Sequence, residues 1–323
     1  MVQSLIHPSS FRLHPCFRSA ASLTLASVGT PLRPLPVDSS ESQTTTAAPP
    51  RAINPDDPPW GVLAAAAICL LTFALMAVVQ AVALLAYAVR RGVPFTPQAI
   101  AEFGTKDLGA LFVEIASIIP AHLLTLAVAW AVVTRFGKYP FFETLGWRPD
   151  ATLTFWKCAG LAVLLLIAGW GIVQFTGNPE TALDRLIKSS RAAALATAFA
   201  ATFTAPLVEE IVFRGLLYSS LARLVGAAWA LTVTVLIFAA IHVPQYWPNF
   251  GVIGTILLLS FVLTAIRART GKLLPCFLVH LFFNGIQSFL IVLDPYLERL
   301  APQNSPAPGA LFRAVALFAR LHF

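Results

Sequence analysis

The stretch Glu209–Arg214, which reads Glu-Glu-Ile-Val-Phe-Arg, places two adjacent carboxylates and an arginine inside a long apolar segment. An ionisable group in the centre of a membrane helix costs about 2.5–3.5 kcal/mol on insertion scales, so such residues usually mark a functional site. Two later apolar segments contribute His242 and His280, and Asn284 follows the second histidine by one helical turn. Together these side chains predict a hydrolytic site within the bilayer.

The composition is that of a polytopic membrane protein. Hydrophobic residues make up 57% of the 323 residues and charged residues 11%, whereas an average soluble domain has about 25% charged residues. The net charge of +7 comes from basic residues between apolar segments. This placement indicates membrane topology and anionic lipid, and we expect no nucleic-acid partner. The four cysteines are scattered without a Cys-x-x-Cys pair, which predicts neither disulfides nor a cysteine-bound metal.

Three regions differ in composition. Residues 1–56 are rich in Ser, Thr, Pro and Ala without apolar periodicity, so we predict a disordered N-terminal extension. The arginines and serines at its beginning also fit an organellar transit peptide. Residues 57–300 hold the apolar segments and are expected to form a transmembrane domain. Residues 301–323 include a stretch too short to span a membrane, typical of an interfacial amphipathic tail.

Seven apolar segments are long enough to cross a bilayer, which takes about 20 helical residues. We predict an all-α fold with spans near residues 60–89, 108–134, 155–175, 191–222, 226–243, 250–266 and 273–293. The fourth segment is too long for one upright span. Pro206 within it gives a reason for a kink, because proline removes a backbone donor. The last four spans carry the candidate site.

The candidate residues are expected to lie at one depth in the membrane. The chain turns back near residues 223–227, and Glu209 precedes this turn by 14 residues while His242 follows it by 15. At about 1.5 Å per helical residue, both lie about 20 Å from the turn on adjacent antiparallel helices. By the same measure, His280 and Asn284 lie about 12 and 18 Å beyond the next turn on that side. Four polar side chains from three helices should therefore converge.

Helical spacing then assigns faces to the first motif. Glu210 and Arg214 are four residues apart and can pair along one helix, whereas Glu209 is rotated by about 100° and has no helical partner. Two adjacent carboxylates in a medium of low dielectric constant cannot both ionise cheaply. Arg214 can hold Glu210 as an anion, which leaves Glu209 as the base that takes a proton from water. The alternative for Glu210 and Arg214 is a purely structural ion pair.

The other candidates complete a hydrolytic set. His280 and Asn284 share a helix face and could donate hydrogen bonds to one developing oxyanion. His242 is placed to share the water with Glu209, and Phe238, one turn earlier, can pack beside it. Alone, each polar residue could be an interhelical hydrogen-bonding group, but convergence at one depth favours catalysis. We interpret the remaining polar pair of the spans, Glu114 and His122, as structural.

The order of these residues resembles the three-motif signature of the CPBP family. These are the CAAX-processing type II proteases and bacteriocin-processing enzymes, also called the ABI family. The motifs stand here as Glu209-Glu210-x-x-x-Arg214, Phe238-x-x-x-His242 and His280-x-x-x-Asn284. The resemblance covers residues 140–293 and includes a short pre-helix element, Thr144-Leu145-Gly146-Trp147-Arg148.

The resemblance implies an all-helical intramembrane endopeptidase. It implies that Glu209 and His242 activate water, that His280 and Asn284 form the oxyanion hole, and that the other motif residues support them. Members of the family have been argued to be metal-dependent and metal-free. This chain favours metal-free chemistry, because it has no His-Glu-x-x-His motif, and zinc would need ligands at about 2.0–2.2 Å. We therefore expect no cofactor. The expected partners are the lipid bilayer and a peptide or protein substrate in or at the membrane, and nothing in the sequence indicates a prenyl group on it.

Three classes of function remain open. The first is an intramembrane endopeptidase of the bacterial inner membrane. The second is a non-enzymatic immunity or scaffold protein that keeps the fold, although such a protein gains nothing from Glu209 in lipid. The third is a transporter that uses the same residues as a proton relay. A transporter would be expected to have internal repeats, and the two halves of the sequence show no convincing similarity.

Overall fold

The computed structural model of the chain describes residues 58–300, which form helices and turns without a strand. The predicted extension, residues 1–56, and the predicted tail, residues 301–323, lie outside the described residues. Seven described helices are apolar and long enough to cross a membrane, which confirms the all-α, multi-pass membrane fold. They are Val62–Arg90 (α1), Leu108–Thr134 (α3), Phe155–Thr176 (α5), Arg191–Val225 (α7 to α9), Ala227–Tyr246 (α10), Phe250–Thr270 (α11) and Leu274–Leu293, the first part of α12 (Leu274–Leu300).

Three short helices that the hydropathy pattern does not predict connect the spans. They are Pro97–Lys106 (α2), Phe141–Thr144 (α4) and Ala182–Ser189 (α6). Two of them begin at side chains that accept hydrogen bonds from the first turn, as helix N-caps do. Thr96 caps α2, and Thr181 forms a capping box with Asp184 at the start of α6. α6 lies between α5 and α7 in the chain and packs against α7 and α10.

The fourth span is one continuous helix with two π-helical segments. It consists of α7 (Arg191–Phe199), π1 (Ala200–Thr204), α8 (Ala205–Glu209), π2 (Glu210–Tyr218) and α9 (Ser219–Val225). All nine residues of π2 are buried. The segment packs against α1, α9 and α10 within the larger hydrophobic cluster of the protein. The motif that begins at Glu209 therefore lies in the centre of the bundle.

A second hydrophobic cluster joins α5 to α11 and α12. Arg267, near the end of α11, is 2% exposed and donates to the carbonyl oxygens of Leu145 at 3.1 Å and Gly271 at 2.6 Å. The Leu273 N–H donates to the Gly146 carbonyl at 2.9 Å. These hydrogen bonds hold the pre-helix element around Leu145 against the α11–α12 turn. They thereby help to position the start of α12.

Asp150 lies outside the membrane spans and binds Lys272 of the α11–α12 turn. Its carboxylate accepts hydrogen bonds from the Thr152 hydroxyl at 2.5 Å, the Leu153 N–H at 3.0 Å and the Lys272 ammonium at 3.0 Å. These donors, with the Thr152 hydroxyl as the largest contribution, hold the pKa of Asp150 well below its usual range. The carboxylate therefore remains an anion and keeps Lys272 beside the start of α5.

Candidate active site

Glu210 and Arg214 form the predicted ion pair at the centre of the bundle. Both side chains are 0% exposed, and Arg214 Nη1 lies 3.0 Å from Glu210 Oε1. The remaining guanidinium nitrogens donate to α11, namely Nη2 to Ser260 Oγ at 2.8 Å and Nε to Thr264 Oγ1 at 3.3 Å. The guanidinium also lies 4.3 Å from the centre of the Phe238 ring. Arg214 thus has contacts with π2, α10 and α11, and it places a cation beside the Glu210 carboxylate.

His280 bridges the two carboxylates of the motif. Its Nδ1 is 2.8 Å from Glu210 Oε1, and its Nε2 is 3.7 Å from Glu209 Oε2. Because the Glu210 anion only accepts hydrogen bonds, Nδ1 carries a proton. The second ring nitrogen is directed to Glu209, which is the more exposed carboxylate at 22%. The sequence did not predict this bridge, because it depends on how α12 is rotated against π2.

His242 lies beside the ring that was expected to pack against it. The Phe238 and His242 ring centres are 4.7 Å apart. His242 Nδ1 is 2.7 Å from the Phe238 carbonyl oxygen. A carbonyl oxygen only accepts, so Nδ1 is protonated and the neutral imidazole keeps a lone pair on Nε2. His242 can therefore accept a proton at Nε2 or hold a water there.

Asn284 is positioned by an interruption in the fourth span. In the π1 segment the Ala205 N–H bonds to the Ala200 carbonyl, and the next residue, Pro206, has no N–H to offer to the Ala201 carbonyl. Asn284 Nδ2 donates to this carbonyl at 2.9 Å. Pro206 thus frees an acceptor that holds the amide, which still has a second N–H to donate. This is a function for Pro206 besides the predicted kink.

The four predicted catalytic residues border one cavity of about 270 Å³. Glu209, His242, His280 and Asn284 all line it, as does Phe238. The predicted convergence of these residues is therefore present in the fold, while their catalytic roles stay predictions. The cavity is bounded on one membrane face by Leu183 and Leu186 of α6.

Helices other than the last four spans also line the cavity. Met76 of α1 and Ile115 and Ile118 of α3 form an apolar wall. Several polar residues that the sequence did not place in the site border it as well. They are His122, Thr197, Gln245, Tyr246, Thr255 and Gln287. The expected site of the last four spans is thus completed by α1, α3 and α6.

The two polar residues interpreted as structural differ in their surroundings. His122 is 5% exposed and lines the cavity, and its Nδ1 is 2.9 Å from Thr204 Oγ1. Glu114, two helical turns earlier, is not among the residues that line the cavity. The sequence alone does not show that His122 lines the cavity and Glu114 does not. Tertiary packing decides which face of α3 contacts the fourth span.

The described part of the chain was searched for side chains that could together hold a metal ion. Across residues 58–300, no group of three His, Cys, Asp or Glu side chains has the arrangement that holds a metal ion. His242 Nδ1 contacts a carbonyl oxygen and His280 Nδ1 contacts Glu210.

A known protein family matches the part of the chain that carries these residues. Residues 191–286 match the model of the family described as Rce1-like, type II CAAX prenyl endopeptidase Rce1-like. This match supports the resemblance to the CAAX proteases of type II. The matched segment contains all seven predicted site residues and is narrower than residues 140–293, over which the resemblance was predicted. In general terms, the match supports a CAAX-protease-like intramembrane endopeptidase. No curated protein and no solved structure matches the chain.

Proposed function

We propose that the protein hydrolyses peptide bonds of membrane-associated substrates by metal-free chemistry, with water activated by Glu209 and His242. The observation that carries this proposal is the position of His280 between two carboxylates, 2.8 Å from Glu210 and 3.7 Å from Glu209. One carboxylate is compensated by Arg214 at 3.0 Å. An imidazolium at His280 would compensate the other, so that the resting site is neutral. Burial of unpaired charge in a membrane interior is thereby avoided.

In the first step, a water between Glu209 and His242 attacks the carbonyl carbon of the scissile bond. Its proton passes to the Glu209 carboxylate, while His242 Nε2 accepts a hydrogen bond from the same water. The carbonyl π electrons move to oxygen and form an oxyanion. His280 Nε2–H, relieved of its interaction with Glu209, donates to this oxyanion together with the free N–H of Asn284. The net charge of the site does not change, because the negative charge moves from Glu209 to the oxyanion.

In the second step the tetrahedral intermediate collapses. The carbon–nitrogen bond breaks, and the proton held by Glu209 passes to the leaving nitrogen to form an amine. Glu209 is an anion again, and the new carboxyl group gives its proton to the amine or to solvent as the products leave. Glu210 and Arg214 hold His280 in place, and Phe238 packs against both the guanidinium and the His242 ring.

The substrate of this reaction is a peptide or protein in or at the bilayer, and we place the protein in the bacterial inner membrane, as the sequence leads us to expect. The cavity is bordered by α6 on one membrane face and by an apolar wall of α1 and α3. These surroundings support a substrate that is held partly in the membrane. They favour no particular lipid group, so the test must include substrates with and without one.

The proposal is tested with purified protein and a library of fluorogenic, membrane-anchored peptides that includes farnesylated and matched non-prenylated members. Glu209→Gln keeps the shape of the side chain but removes the base, and should lower kcat by about 10²–10⁴-fold, the usual contribution of general base catalysis. Glu114→Gln, which changes a carboxylate outside the cavity, is the matched control and should retain wild-type activity. Cleavage should persist in the presence of a chelator.

Two results would contradict the proposal. Activity that is lost on chelation and restored by zinc would assign Glu209, His242 and His280 to metal ligation. A folded wild-type protein that binds peptides of the library but cleaves none of them would favour the non-enzymatic scaffold function.

A further inference from the structure

His122 is a buried histidine that none of the family motifs includes. It lies on α3, outside the matched residues 191–286, yet its side chain lines the same cavity as Glu209. Only 5% of the residue is exposed. A histidine in an apolar span is costly unless its polar atoms have partners, so both ring nitrogens have to be accounted for.

One nitrogen is accounted for within the protein. His122 Nδ1 is 2.9 Å from Thr204 Oγ1, and the Thr204 hydroxyl itself donates to the Ala200 carbonyl at 3.2 Å. A hydroxyl has a single proton, so Thr204 must accept from His122 Nδ1–H. The neutral imidazole then has its lone pair on Nε2. Among the described residues, Nε2 has no hydrogen-bond partner and is left for whatever occupies the cavity.

A second polar atom on this part of the wall is also unmatched. Thr197 lines the cavity, and its Oγ1 is buried without a hydrogen-bond partner in residues 58–300. It precedes Thr204 by seven residues, about two helical turns along the same span. More than about 90% of buried polar groups in folded proteins have a partner, and the exceptions call for an explanation.

An extended peptide in the cavity would supply both partners. A peptide that enters the cavity gives up water at its N–H and C=O groups, and each of these groups is stabilised by a polar partner in the protein. The catalytic residues serve the scissile carbonyl and the attacking water, which leaves the neighbouring amides unmatched. Met76, Ile115 and Ile118 offer them no hydrogen bonds, because this wall is apolar.

We infer that His122 and Thr197 bind the backbone of the substrate next to the scissile bond, with His122 Nε2 as acceptor for one amide N–H and the Thr197 hydroxyl as partner for a second backbone group. This inference rests on the proposed function, because it takes a peptide as the occupant of the cavity. Recognition of backbone rather than side chain would let the site accept different sequences. His122 is a positioning residue by this account and does not exchange a proton in the reaction.

The competing role for His122 is that of a proton carrier, since it interacts electrostatically with Glu209. The titratable groups that line the same cavity from other helices are Glu209, His242, Tyr246 and His280. Glu114 lies on the same helix as His122. A proton carrier would affect kcat and the pH profile of the reaction, whereas a backbone-binding residue affects KM, because its interaction is present before and during the reaction.

The test combines side-chain substitution with backbone N-methylation of the peptide. In an otherwise wild-type protein, His122→Phe should raise KM by about tenfold and leave kcat and its pH profile within twofold, as expected for loss of uniform binding. His122→Gln keeps an acceptor and should restore part of the affinity. Glu114→Gln on the same helix should change neither constant. Thr197→Val keeps the shape of the side chain and should raise KM whether or not His122 is changed. This variant tests the inference if the His122 variants do not fold.

The decisive measurement is peptide binding to the inactive Glu209→Gln protein by fluorescence anisotropy. N-methylation of one particular amide should weaken binding to Glu209→Gln by about tenfold but should not weaken it further when His122→Phe is added. Equal N-methylation penalties in both proteins at every position would overturn the inference, as would a His122 variant with unchanged KM and a shifted pH profile. Because binding is measured without turnover, a wild type that binds in this way but does not cleave would contradict the proposed function alone.

Discussion

Replacing Arg214 tests how much the buried ionic network contributes to the fold. Both Arg214 and Glu210 are 0% exposed, so solvent does not screen their interaction. Removing one partner of such a pair costs about 3–5 kcal/mol, because the other is left as an uncompensated buried charge. In Arg214→Met, Glu210 keeps one donor, His280 Nδ1 at 2.8 Å. We therefore expect a loss of about 3 kcal/mol in the free energy of unfolding, at the lower end of this range.

The loss can be measured by equilibrium unfolding in mixed micelles of a mild detergent and sodium dodecyl sulfate, followed by tryptophan fluorescence. Arg269→Met, at an exposed arginine in the last turn of α11, should stay within about 0.5 kcal/mol of the wild type. The double variant Glu210→Gln/Arg214→Met removes both charges and should be at least about 1 kcal/mol more stable than Arg214→Met alone. The reasoning is refuted if Arg214→Met costs less than about 1 kcal/mol, or if the double variant is no more stable than the single one.

Three further substitutions test local features. Pro206→Ala restores a backbone N–H that competes with Asn284 for its carbonyl acceptor, and should lower kcat by about tenfold while the unfolding free energy changes little. Gly251→Ala brings a Cβ against Thr176 Oγ1 and within 2.9 Å of a backbone atom of α5, which should cost about 1–3 kcal/mol in unfolding experiments. Gly254→Ala, whose Cβ would meet a side-chain methyl at 3.4 Å, is the matched control. For Asp150→Asn, the folded-state pKa of the native carboxyl lies below the unfolded value of about 3.9. Its stabilising effect is therefore complete above that pH and is lost as the pH falls further, so the melting temperatures of wild type and variant should differ at pH 7 and approach each other below about pH 4.

The spans could be predicted from the sequence because bilayer thickness sets the length of an apolar helix. Their predicted starts agree with the structure within two residues and their ends within four. The short helices could not be predicted in this way, since they are amphipathic or only a single turn long. For α6, the Thr181–Asp184 capping box is a signal that the hydropathy pattern ignores.

The sequence predicts those parts of the site that depend on residues close together in the chain. The pairing of Glu210 with Arg214 follows from their separation by four residues, and the common depth of Glu209 and His242 follows from the hairpin between them. The rotation of α12 that brings His280 onto Glu210 depends on side chains distant in sequence. The same holds for His122, because the position of α3 beside the fourth span is a result of tertiary packing.

Some residues of the site contribute to both stability and catalysis, whereas others contribute to only one of them. Glu210 compensates Arg214 and at the same time orients His280, so its substitution should reduce stability and activity together, and neither loss can be read separately. Glu209 and His122 border the cavity without belonging to the pair that holds the bundle together. A change in activity at these two positions without a change in unfolding free energy therefore reports on chemistry or substrate binding directly. They are the positions at which the proposed reaction can be separated from the stability of the fold.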